Sequence, residues 1–267
     1  MTTVEDNKEE DLAEGTLLSH LIELRSRLIK IAAAVIILFA AMIPFAQRIF
    51  EVVSKPLVEV LPGQQMIATA VASPLLTPFK LTFFVALFAA MPLILYQVWA
   101  FVAPGLYKKE KHFAFPLLAS SIMLFYAGVA FAYYVVFPLV FGFFTAVTPD
   151  GVEMMTDISA YLDFITTIVL AFGIAFEVPI ATVLVVWTGL TTPDKLGKAR
   201  PFVFLGAFVV GMLLTPPDII SQTLLAVPVY LLYEAGIIMS RVFSKKPEEE
   251  EQASVKYQVS CEIVFNA

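Results

Sequence analysis

Four carboxylates lie where the chain has least reason to carry a charge. Glu23 sits in His20-Leu21-Ile22-Glu23-Leu24-Arg25-Ser26-Arg27-Leu28, at the mouth of the first long apolar run, and Glu110 stands among lysines in Pro104-Gly105-Leu106-Tyr107-Lys108-Lys109-Glu110-Lys111. Glu177 interrupts the apolar stretch Phe172-Gly173-Ile174-Ala175-Phe176-Glu177-Val178-Pro179, and Asp218 closes Thr215-Pro216-Pro217-Asp218. Carboxylates at a helix mouth suit a cationic ligand. A guanidinium offers a planar fork of donors to a carboxylate, which a lysine ammonium matches less well. Glu177 is different, because a charge within a membrane span costs roughly 2.5–3.5 kcal/mol on insertion scales. It should face a polar cavity or a partner, or else be a neutral, hydrogen-bonded group inside the bundle.

Each position also has a plainer reading. Glu23 and Arg27 are four apart in the favourable order, so they can form an ion pair worth roughly 0.2–0.5 kcal/mol. On a helix, Leu17, Leu21, Leu24 and Leu28 share one narrow stripe, flanked by His20, Glu23, Arg27 and Lys30. Glu110 can simply offset Lys108, Lys109 and Lys111. Pro216 and Pro217 predict a tight turn with Asp218 as N-cap of the following helix, and Gln222, one turn on, either bonds a neighbouring helix or meets the lipid interface. The motifs of common catalysts are missing: no Gly-x-Ser-x-Gly, no His-Glu-x-x-His, no Gly-x-x-x-x-Gly-Lys, and a single cysteine. The inventory predicts no enzyme, no cofactor and no metal site. Any work would draw on a partner or on the membrane potential, worth about 2.3 kcal/mol per charge per 100 mV.

The elements that must hold these residues are set by composition. Hydrophobic residues are 59% of the chain and charged residues 15%, against roughly 45–50% and about 25% in soluble domains. This predicts an all-α, multi-pass membrane protein with six spans, at about 28–45, 79–102, 115–138, 161–187, 202–214 and 219–240, each judged against the roughly 20 residues needed to cross. The fifth and sixth look short, the sixth because Glu234 interrupts it. A short pair should thin the bilayer. Fourteen of the 17 Lys and Arg residues fall on one side of this frame, which predicts cytoplasmic N and C termini.

Three regions follow: an acidic tail without structure at 1–16, one six-span membrane domain at 17–243, and a second such tail at 244–267. No cleaved secretory signal is expected, since the first apolar run is too long for one. Pro56, Pro62 and Pro74 among apolar clusters predict an outer cap of short helical pieces broken by turns, Pro56 marking one of them.

In these stretches the chain resembles the TatC family of the twin-arginine protein translocase, and looks closest to its proteobacterial members. The resemblance rests on the Glu23 segment, Ser73-Pro74, Tyr96-Gln97-Val98-Trp99-Ala100-Phe101, Leu106-Tyr107-Lys108-Lys109-Glu110, Phe137-Pro138, the Glu177 segment, Arg200-Pro201 and Leu214-Thr215-Pro216-Pro217-Asp218. It implies an inner-membrane receptor for folded precursors whose signal peptides carry paired arginines. It implies recognition by Glu23 and Glu110, supported by Arg25 and Phe101, and a cupped bundle with Glu177 on its hollow face. The partners implied are TatA and TatB subunits, further copies of the chain and membrane lipids, with no nucleic acid. Ala70 stands where close relatives would carry an acidic residue. A secondary transporter of a small solute is the other reading; it would need paired broken helices at the midplane, and only Glu177-Val178-Pro179 offers one.

Overall fold

The computed structural model describes the backbone of residues 3–60, 67–102, 114–149, 157–214, 219 and 222–242, with side chains for 21–54, 67–101, 115–149, 157–213, 219 and 222–242. These residues are almost wholly helical. In order they form α1 (Thr3–Met42), a 3-10 turn (Ile43–Phe45), α2 (Ala46–Val60), α3 (Ser73–Val102), α4 (Ala114–Phe131), a π-helix (Ala132–Val136), α5 (Phe137–Val147), α6 (Ile158–Ala175), α7 (Val178–Trp187), α8 (Pro193–Lys198), α9 (Arg200–Leu214) and α10 (Gln222–Val242). Among the described residues the strand pairing is one isolated parallel bridge, Ile67 with Asp157.

Among the described residues five stretches are long and apolar enough to cross a membrane: Leu21–Ser54, Ser73–Phe101, Phe115–Val147, Ile158–Trp187 and Gln222–Val242. The fifth expected span is the shorter Arg200–Leu213. The sixth is not cut short: Glu234 does not interrupt it, because the carboxylate is paired with Arg200 and α10 continues to Val242.

Two expectations are corrected. Helix runs from Thr3, where a tail without structure was expected up to residue 16; the strong helix formers Glu, Lys, Leu and Ala make up half of this stretch. Pro56 marks no turn. It lies within α2, so any break in this segment comes after Val60. One lost backbone bond is tolerable in a helix whose other residues keep theirs. Residues 244–267 lie outside the described residues.

The chain divides into two compact units. In the first, α1 and α2 lie against α3, whose Leu81, Leu95 and Trp99 are buried on one face and Ala86 and Ala90 on the opposite one. Phe39 of α1 meets Phe83 of α3 edge-on at 5.7 Å between centroids. The leucine stripe of α1 is not part of this contact: Leu21 and Leu28 are 61% and 55% exposed. In lipid that is the favourable arrangement, since acyl chains solvate leucine as well as a protein core does.

In the second unit, α4 and α6 close on each other through paired glycines. A Cβ on Gly128 would lie 2.5 Å from the Phe172 carbonyl oxygen, and one on Gly173 would lie 2.6 Å from the Phe125 ring. Small residues let backbones approach, which drives helix association where the hydrophobic effect is weak. Pro138, lacking an N–H, follows directly on the π-helix, where Phe137 N–H reaches back five residues to Ala132 O.

Candidate functional site

Glu23 and Arg27 stand one turn apart on α1, on the face turned toward α3. Arg27 Nε donates to Glu23 Oε1 at 3.0 Å, and Nη2 donates to the same oxygen. The guanidinium also spans to α3: Nη1 donates to Gln97 Oε1 at 3.2 Å and Nη2 to Ala100 O at 3.0 Å. The side chain of Arg27 is 19% exposed and that of Glu23 38%. Arg27 is thus more than the ion-pair partner of Glu23: it is the polar link between α1 and α3. A guanidinium suits this, with five donors in a fixed plane. Phe101, next along α3 from the carbonyl that Arg27 uses, is half-buried. Arg25 is exposed and, two residues from Glu23, points about 200° away around the helix. The structure thus brings Glu23 together with Arg27, Gln97 and Ala100, and does not bring Arg25 to them. Glu110 lies outside the described residues.

Glu177 sits at the break between α6 and α7. The helix stops at Ala175, turns through Phe176 and Glu177, and restarts at Val178 with Pro179 in its first turn. Proline is favoured in a first turn, where its missing N–H has no partner to lose. Ser121 Oγ of α4 donates to Glu177 Oε2, while Oε1 is buried without a hydrogen-bond partner among the described residues. Phe131 and Phe176 pack beside the break, 5.6 Å between centroids.

Gln222 opens α10 and bonds a helix, not lipid headgroups: its Nε2 donates to Phe208 O of α9 at 2.7 Å, over Gly211, where a Cβ would sit 3.2 Å from Gln222 Cγ. Pro216, Pro217 and Asp218, the expected turn and cap, lie outside the described residues. Further along α10, Arg200 Nη2 donates to Glu234 Oε2 at 2.8 Å, while Nε lies 2.6 Å from Oε1 as an ion-pair contact without hydrogen-bond geometry. Tyr230 OH donates to the same carboxylate at 2.9 Å, and Tyr233 OH to Leu196 O at 2.9 Å.

One polar centre has no forerunner in the sequence reading. Asp157 precedes α6 and caps it, accepting from Ser159 N at 2.8 Å and Ala160 N at 3.1 Å through Oδ1. Its Oδ2 accepts from Thr69 N at 2.9 Å and Thr69 Oγ1 at 2.6 Å. These bonds, Thr69's hydroxyl first, hold the carboxyl well below its usual range, down to about 2. Ser159 continues the link, its Oγ donating to Ser73 Oγ at 2.8 Å. The available signal was Asp-x-Ser before an apolar run, an N-cap pattern.

A family model described as Sec-independent protein translocase protein (TatC) matches residues 19–228. The chain is similar to the Sec-independent protein translocase protein TatC of Azotobacter chroococcum mcd 1, 61% identical over 222 residues, which is 83% of this chain and 87% of that one. To the protein of the same description from Escherichia coli (strain K12) it is 55% identical over 237 residues, 88% of this chain and 92% of that one. Among solved structures, a crystal structure of the twin arginine translocase receptor TatC matches with a TM-score of 0.77 at 36% identity, covering 84% of this chain and 98% of the other.

Proposed function

Because the chain belongs to the Sec-independent protein translocase (TatC) family, we propose that it binds the paired-arginine signal peptides of folded precursor proteins and supports their transport with TatA- and TatB-type partners. It is a multi-pass protein of the bacterial inner membrane, a translocase subunit and not an enzyme. The small-solute transporter reading falls with the family assignment.

The observation that best supports the arginine site is chemical. On α1 the Glu23 carboxylate already receives a guanidinium, beside the Gln97–Phe101 segment of α3. A group that accepts Arg27 in this plane has the geometry to accept an arginine from a ligand. Glu110 is the second carboxylate of the reading, with Phe101 and Arg25 as its supports, all on the cytoplasmic side. Glu177, with one buried oxygen that has no hydrogen-bond partner among the described residues, is the intramembrane contact for a partner helix or for the inserting signal peptide. Gln222 and the α9–α10 edge face partner subunits, and further copies of the chain join the assembly.

Two experiments decide this. Glu23→Ala and Glu110→Ala should each lower binding and export of a paired-arginine precursor while the protein still inserts; normal export in both would remove the assigned site. Photocrosslinking from positions 23, 101, 110 and 177 should reach the precursor from the first three, and a partner helix or the inserted signal segment from 177.

A further inference from the structure

Arg27 places the same chemical group on Glu23 that the proposed ligand would bring. Its Nε and Nη2 both donate to Oε1, so the free chain already holds one oxygen of this carboxylate occupied. A ligand arginine has to take the carboxylate from Arg27 or share it. Displacement would not leave Arg27 without partners, because Gln97 Oε1 still accepts from Nη1 at 3.2 Å and Ala100 O from Nη2 at 3.0 Å. The two sets of acceptors lie on different helices, and Arg27, only 19% exposed, bridges them.

We propose that Arg27 is a resident competitor for Glu23, retained by Gln97 and Ala100 when displaced, and that this exchange makes the site select arginine over lysine. The inference rests on the reading of Glu23 as a signal-peptide contact. An incoming guanidinium repeats the planar, two-donor contact that it replaces, so the exchange is nearly balanced. An ammonium is a compact, strongly hydrated charge with its donors on one atom, and it cannot restore that contact. Arg27 thereby sets a threshold that arginine passes and lysine does not.

The test uses the full-length protein in lipid nanodiscs and two synthetic signal peptides, one with an Arg-Arg pair and one with Lys-Lys. Arg27→Gln should tighten binding of the Lys-Lys peptide more than that of Arg-Arg, shrinking the ratio of their dissociation constants by about two- to fivefold, the range of a partly exposed charge pair. Gln97→Glu supplies a carboxylate on the far side of Arg27 and keeps the α1–α3 link; it should shrink the ratio in the same direction. Lys30→Gln removes an equal charge from the same helix without touching Glu23 and should leave the ratio unchanged.

The proposal is overturned if Arg27→Gln weakens both peptides as Glu23→Gln does, since Arg27 would then serve to orient Glu23. It is also overturned if Lys30→Gln acts like Arg27→Gln, or if Gln97→Glu leaves the ratio at its wild-type value. Should Arg27→Gln fail to fold, Gln97→Glu decides alone. Wild-type binding by Glu23→Gln would instead overturn the assignment of Glu23 as a ligand contact, a result distinct from the others.

Discussion

Gly236→Ala is a one-carbon test of how closely α10 approaches the break in the fourth span. A Cβ at position 236 would lie 2.2 Å from Thr182 Oγ1, 2.9 Å from Pro179 Cα and 3.2 Å from Thr182 Cβ. The hydroxyl is tied down, donating to Pro179 O at 2.7 Å, and the next obstacle is backbone. Alanine's better helix propensity returns up to about 1 kcal/mol, while overpacking costs roughly 1–3 kcal/mol. The net loss should be about 1–2 kcal/mol, and at roughly 2–4 °C per kcal/mol for a chain near this size the melting point should fall by about 2–8 °C. Thermal unfolding in detergent, followed by the fluorescence of Trp99 and Trp187, measures it. Thr182→Ala removes the nearest obstacle and leaves Pro179 Cα, so the double variant should recover only part of the loss. A Gly236→Ala protein that melts at or above the wild-type temperature would refute the close approach of α10 to Pro179.

Asp157 gives a pH-dependent prediction. Its folded pKa is depressed from 3.8 to about 2, so the stability it contributes is present above the unfolded value and is lost as pH falls from about 4 toward 2; Asp157→Asn should flatten the acid-unfolding profile over that window, read by tryptophan fluorescence. For the Arg200–Glu234 pair, partly exposed at 43% and 23%, each alanine substitution should cost about 1 kcal/mol, and the double variant should cost less than the sum, read by a double-mutant cycle in detergent unfolding. Ser121→Ala removes the one described donor to Glu177 and should destabilise the protein by about 1–3 kcal/mol in mixed-micelle unfolding; unchanged stability would mean that another group serves the carboxylate.

The parts of this protein legible in its sequence are those governed by local composition. Apolar runs of membrane length located the helices, and a proline two residues after an intramembrane glutamate located the α6–α7 break, because each signal lies within a few residues. What escaped depends on pairing across the chain. Arg27 reaches Gln97 over 70 residues and Thr69 reaches Asp157 over 88, and no spacing rule joins such partners. Arg200 and Glu234 are 34 apart; each alone reads as a topogenic charge or an interruption, and only together do they explain why α10 runs on. Pro56 misled for a related reason: proline marks a cost to a helix, and whether the chain meets that cost by turning is decided by what the rest of the helix retains.

The inward face of α1 also sets an order of events during synthesis. Arg27 finds its acceptors on α3 at residues 97 and 100, which a ribosome working at roughly 5–20 residues per second makes about 4–15 s later. Through that interval the first helix has only its own Glu23, one turn away, to keep the guanidinium company as it settles at the membrane surface. The ion pair within α1 therefore acts as an escort for the nascent helix, holding its charge in balance until the second hairpin arm arrives to complete the joint.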